Sequence, residues 1–172
     1  MNRLKALFVW ISRIGYSRGF GIQSPTDYWF VRYVINEHWP YYEYSNVGTD
    51  DGWMRRKVGR LYFRLANWRQ PDVITADDYQ EYFRAGCKKA AFGLSNELML
   101  LSLGGDWRSR FDVFCQGADD SSVLVVESVC ENKEAWREIV SSSAVTISYD
   151  LYYCGIVMFD KKRTKKHYII NF

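Results

Sequence analysis

The sequence predicts an α/β fold: a mostly parallel sheet finished by an antiparallel hairpin and preceded by N-terminal helices. Three observations carry this. Up to about residue 70 the apolar residues recur at helical spacing. Beyond it, short β-like runs alternate with helical runs, the pattern of helices laid on a parallel sheet. The last two apolar runs, 155–159 and 168–172, are separated by a short basic segment at 160–166. A parallel crossover needs about a dozen residues or more, so that pair is expected to be an antiparallel hairpin.

The elements follow in order. Leu4, Leu7, Phe8, Ile11 and Ile14 share one face of an amphipathic first helix, with Arg3, Lys5 and Arg13 off it. Ser24-Pro25 with Asp27 is a helix start, with proline in the first turn. That helix carries Tyr28, Phe30, Val31, Val34 and Ile35 and stops before Pro40. Residues 41–52 are loop-like. A helix over 52–68 aligns Leu61, Leu65 and Trp68, and Arg55, Arg56, Lys57, Arg60 and Arg64 make the rest basic. Then come a strand at 72–76 and a helix to Gly86, capped by Asp77 or Asp78. A second strand is placed at 89–94, and a helix from Ser95 with Leu98, Met99 and Leu101 ends at Gly104-Gly105. Strands at 111–116 and 122–128 follow, then a helix at 131–141 with Ala135, Trp136 and Ile139 inward, and a strand at 145–149 before the final pair. Only residues 117–121 join 111–116 to 122–128, too few for a parallel crossover, so the direction of that pair stays open.

A chain of 172 residues suits one domain, with 1–70 helical and 71–172 the α/β region. The net charge of +3 argues against a nucleic-acid partner, which usually demands a strongly basic stripe. Cys87, Cys115, Cys130 and Cys154 form no CxxC pair, so zinc spacing is absent and the thiols are expected reduced and structural, in a cytoplasmic protein. No apolar stretch is long enough for a membrane span. The first helix offers its apolar stripe to the chain's own core or to a second copy, a possible homo-oligomer contact. The two histidines, His38 and His167, lie in no recognisable pattern with an acid and a nucleophile or with metal-ligand spacing. Gly104-Gly105-Asp106 lacks the lysine of a phosphate loop and reads as a helix end.

Several segments resemble a family of bacterial class I S-adenosylmethionine-dependent methyltransferases. Gly21-Ile22-Gln23-Ser24-Pro25 is similar to that family's H-G-I-H-S-P start, with Gln23 in place of the second histidine. Tyr41-Tyr42-Glu43-Tyr44 looks like its Y-Y-x-Y segment, and residues 60–67 with Pro71 look like the helix leading into the first strand. Glu134-Ala135-Trp136 resembles its E-A-W helix, residues 150–157 its D-L-F-x-x-G-I-V segment, and the closing residues 167–172 also match. The resemblance covers both ends and little of the middle. It implies a Rossmann-like methyltransferase-type sheet.

The middle departs from the family where the cofactor would sit. Against the glycine-rich turn E-x-G-T-S-x-G, Ala76 takes the acid position and Asp78 and Tyr82 the two glycine positions. Glycine serves there because the backbone takes positive φ and passes close to the cofactor. The resemblance thus puts the Tyr82 ring in the space of the methionine moiety. The ribose-binding acid falls near Leu94 or Ser95, with Glu97 a little beyond, and the third strand end reads Gln116-Gly117, the next Glu127-Ser128. The expectation is a shortened, methyltransferase-like protein that is not an enzyme, binds no cofactor, has no catalytic or metal-ligating residues, and acts as a binding or scaffolding domain for an unknown partner. The alternative is an active S-adenosylmethionine-dependent methyltransferase with an altered site, whose cofactor-binding residues would be Asp77, Asp78 and Glu97. An unrelated small α/β binding module is the third reading.

Overall fold

A computed structural model describes residues 3–172. Helix α1 (Arg3–Ser12) has no buried residue. Its Leu7, Phe8 and Ile11 are all exposed, so the chain does not cover that stripe itself. The segment after it is tied down by hydrogen bonds. Arg13 donates to the Asp150 carbonyl and carboxylate, both at 2.9 Å, and Asn171 Nδ2 donates to the Trp10 carbonyl at 3.1 Å.

Helix α2 (Pro25–Phe30) starts as expected: the Ser24 hydroxyl accepts from Asp27 N at 3.3 Å, and Pro25 opens the first turn. It continues as one π-type turn over Val31–Ile35 and ends there, short of Pro40. Helix α3 (Trp53–Arg69) buries Val58, Leu61, Tyr62, Leu65 and Ala66 at helical spacing. Arg64 does not belong to the basic outer face. It is 7% exposed, and its Nε and Nη2 donate to the Val34 and Ile35 carbonyls at 2.7 and 2.8 Å. A cation thereby satisfies carbonyls left open at the end of the preceding helix.

The α/β region contains strands β1 (Val73–Thr75), β2 (Ala91–Phe92), β3 (Leu98–Leu101), β4 (Val123–Glu127), β5 (Ile147–Asp150), β6 (Cys154–Met158) and β7 (Lys166–Ile169). Helices α4 (Gln80–Gly86), α5 (Trp107–Gly117) and α6 (Lys133–Ser141) lie between them. The sheet order is β2-β1-β3-β4-β6-β5-β7. Among the described strands β6 alone runs against the rest.

Two elements exchange identity relative to expectation. Residues 98–101 form a strand rather than a helix, and 107–117 a helix rather than a strand. Leu98 to Leu101 are buried on both faces of the sheet, and so short an apolar run has no period that separates strand from helix. In α5, Trp107, Phe111 and Phe114 are buried at helical spacing, and Asp106 accepts from Ser109 N at 3.4 Å. This removes the crossover difficulty: α5 connects β3 to β4, which are parallel. The Gln116-Gly117 pair closes that helix, and the loop after β3 begins at Ser102.

The antiparallel hairpin is also displaced. It joins β5 to β6 through residues 151–153, with Asp150 opposite Gly155. The basic segment after β6 instead carries the chain past β5, so that β7 pairs in parallel with β5 at the sheet edge. Side chains alternate along the buried strands. Leu98, Leu100, Val123 and Val125 face α2, α3 and α4, whereas Met99, Leu101, Leu124 and Val126 face α5 and α6. Helices α2 and α3 are therefore part of one wall of the main core. No helix is long and apolar enough to cross a membrane.

Candidate functional site

In open α/β sheets, ligands bind in the crevice beyond the carboxyl ends of the strands. Here that place is bounded by the turn after β1 and by the end of β4. The turn is Ala76-Asp77-Asp78-Tyr79, and Tyr79 takes a left-handed conformation, φ 55°. It leads into α4 without a side-chain cap, so neither Asp77 nor Asp78 caps that helix. Asp77 instead pairs with Arg110 at 2.9 Å. Asp78 receives a bidentate grip from Arg55, at 2.6 and 2.8 Å, and the Arg55 hydrogen bond holds its carboxyl below the usual range. Arg55 also meets Asp51 at 3.1 Å and lies 4.1 Å above the Tyr79 ring.

Two tyrosine rings fill the space below. Tyr79 packs edge-on against Tyr62, centroids 4.9 Å apart. Tyr82 is completely buried and donates its hydroxyl to Asp51 at 2.7 Å. Burial, then Asp51, pushes its phenol above the ordinary range. The ring passes between two glycines. A Cβ on Gly59 would lie 2.5 Å from it, and one on Gly48, whose φ is +63°, only 1.7 Å from the hydroxyl. What the two glycines supply is the missing side chain, and at Gly48 also the positive φ, in the walls that admit Tyr82.

Glu97 does not join Asp77 and Asp78. It accepts from Asp72 N at 2.9 Å and Val73 N at 3.3 Å, at the amino end of β1 and the opposite edge of the sheet. The acid that does reach the strand-end site is Glu127, half-buried on the last residue of β4. Burial, and secondarily the charge of Asp78, raises its pKa to about 7. A carboxyl with a raised pKa holds its proton more tightly folded than unfolded. Its contribution to stability therefore falls as pH rises from about 4.5 to 7 and is flat above. Glu127→Gln is expected to stabilise the protein by about 1–3 kcal/mol at about pH 8, discounted for the water the side chain still meets, and to change little at about pH 4. Urea unfolding at the two pH values measures this, and an equal effect at both would refute it.

His167 has a partner that spacing did not reveal. Pairing of β5 with β7 brings Ser148 Oγ to 2.8 Å from His167 Nδ1. Ser148 is 1% exposed, and the Asp150 carboxylate is engaged by Arg13 and by Tyr152 N. No substrate can reach that serine, so the pair is a packing contact rather than a nucleophile with its base. Among the described residues no group of three potential metal ligands occurs, and the four cysteines are free thiols.

The fold and this site define an α/β protein with a seven-stranded mixed sheet whose strand-end crevice is occupied by its own side chains. Comparison with protein-family models, curated proteins and solved structures finds no match to the chain.

Proposed function

We propose that this chain is a methyltransferase-like domain that has given up the cofactor and acts as a binding or scaffolding module. The observation that carries the reading is the strand-end crevice: Tyr82 fills it between Gly48 and Gly59, and the Arg55–Asp78 pair closes over Tyr79. A cofactor would have to displace buried rings and an ion pair, where the related enzymes offer an open glycine turn. The segments that carry the resemblance also meet in space. Ser24-Pro25 starts the helix whose Asp27 bonds Tyr149 and Tyr168, and residues 150–157 form the β5–β6 turn and most of β6.

Calorimetric titration and thermal shift with millimolar S-adenosylmethionine and S-adenosylhomocysteine are expected to give no signal. Micromolar binding of either compound would favour the altered-site enzyme instead, with Asp77 and Asp78 released from Arg110 and Arg55.

A further inference from the structure

The outer face of α3 borders a second cavity of about 860 Å³, between residues 35–44 and the two end segments of the chain. That volume is within the range of small-molecule sites. Its chemistry is strongly one-sided. Arg56, Lys57 and Arg60 project into it from α3, and Arg18 lines it from the N-terminal segment. None of these four forms an ion pair among the described residues; Arg60 and Lys57 instead lie over the rings of Tyr44 and Phe172, at 4.7 and 4.6 Å. The one acidic side chain among the lining residues, Glu37, accepts from the His38 and Trp39 backbone N–H groups at 2.9 and 3.1 Å.

Hydrogen-bond accounting singles out the same place. Four buried side-chain polar atoms lack a partner among the described residues, and three of them, Arg56 Nε, Arg60 Nε and Asn36 Nδ2, belong to residues lining this cavity. All three are donors, and two are on charged groups. These atoms have almost no accessible surface, so an anion in the cavity would meet the outer nitrogens of the same guanidinium groups, of which Arg56 Nη2 already donates to the Thr49 and Asp51 carbonyls at 3.2 and 2.8 Å. Burial also depresses the Lys57 pKa, a penalty that an anion beside it would relieve. The wall also carries aromatic surface: Trp53 and Trp39 are exposed, Trp39 at 73%, and neither stacks on another ring among the described residues.

The geometry points to a binding site for a small phosphorylated compound bearing a ring, of the nucleoside diphosphate class. Its phosphates would lie between Arg56, Arg60, Lys57 and Arg18, and its ring against the tryptophans. The site stands apart from the strand-end crevice and does not depend on how that crevice is read. S-Adenosylmethionine has no phosphate, so the two sets of titrations fail independently.

The test is calorimetry with adenosine diphosphate, pyrophosphate, adenosine and a short single-stranded oligonucleotide. Adenosine diphosphate is expected to bind, pyrophosphate more weakly, and adenosine not at all, with affinity falling as salt rises. Arg60→Gln should weaken diphosphate binding by about tenfold or more. Arg18→Gln, at an exposed position, should weaken it several-fold with an unchanged melting temperature, and it decides the matter if Arg60→Gln does not fold. Absence of heat with both diphosphate and pyrophosphate at millimolar concentration overturns the proposal. So does binding that both substitutions leave unchanged, or tighter binding of the oligonucleotide than of the diphosphate.

Discussion

Asp27→Ala is expected to destabilise the protein by about 3–5 kcal/mol, because it strips a buried charge network of its centre. Asp27 is 1% exposed. Its carboxylate accepts from Tyr149 Oη at 2.7 Å and from Tyr168 Oη at 2.9 Å, and it pairs with the Arg163 guanidinium. The acid comes from α2, the phenols from β5 and β7, and the guanidinium from the segment between β6 and β7. One carboxylate thus fastens the N-terminal helices to the last strands. Removing it leaves two phenols and a cation without their acceptor. Burial alone would raise the Asp27 pKa, but hydrogen bonds from Arg163, Tyr149 and Tyr168 outweigh it and hold the pKa below the ordinary value. A depressed folded-state pKa stabilises above the unfolded value of about 3.9 and loses that contribution as pH falls through the folded one. The difference between wild type and Asp27→Asn in chemical denaturation should therefore be full at neutral pH and shrink below about pH 4. A loss under about 1 kcal/mol at neutral pH would show that the network adds nothing beyond packing.

Tyr82→Ala should cost about 3–5 kcal/mol, the usual range for removing a buried ring. The ring is fully buried, and the walls at Gly48 and Gly59 have no side chains with which to refill the space. Asp51 also loses its hydroxyl donor. Tyr82→Phe isolates that hydrogen bond and should cost about 0.5–1.5 kcal/mol. The alanine variant is informative about function as well. It opens room beside the turn but leaves the Arg55–Asp78 pair and the Tyr79 ring in place. S-Adenosylmethionine binding should not appear. Denaturation midpoints and calorimetry on the variant read both outcomes, and micromolar cofactor affinity in Tyr82→Ala would mean that one ring is the whole obstruction.

The exchange of identity between 98–101 and 107–117 has a physical cause. Leu98-Met99-Leu100-Leu101 is apolar throughout because both faces of the strand are covered, and a continuous run carries no period. In α5 the signal was present: Trp107, Phe111 and Phe114 are spaced along one face. From Phe111 onward the run Phe111-Asp112-Val113-Phe114 is also compatible with a strand, and only Trp107 one turn earlier fixes the helical period. The hairpin was misplaced for a different reason. Loop length limits which strands can be neighbours but not which edge of a strand is free, and β6 has β5 and β4 on its two sides.

At the candidate site, the sequence makes Tyr82 conspicuous, because a large ring stands where the family that the chain resembles has glycine. It did not reveal that Gly48 and Gly59, far from it in the chain, make its socket. Glu97 lies just beyond the expected strand at 89–94, which in sequence sets it near a strand end. Once 98–101 is a strand, the same place in the sequence is at the amino edge instead.

What the sequence determined by itself is what local chemistry dictates: the Ser24-Pro25 helix start, the apolar stripes of α3 and α6, the alternation of strands with helices, and the absence of a glycine turn after β1. Tertiary structure alone decided which charges meet. Arg55 with Asp78, Arg13 with Asp150 and Arg163 with Asp27 are separated by 23 to 137 residues. Nothing in a linear pattern distinguishes such a pair from solvated surface charge, because electrostatic and hydrogen-bond energies depend on distance and burial in space. The same holds for Arg56 and Arg60 of the α3 cleft, which form no ion pair among the described residues and in sequence are only part of a basic helix face.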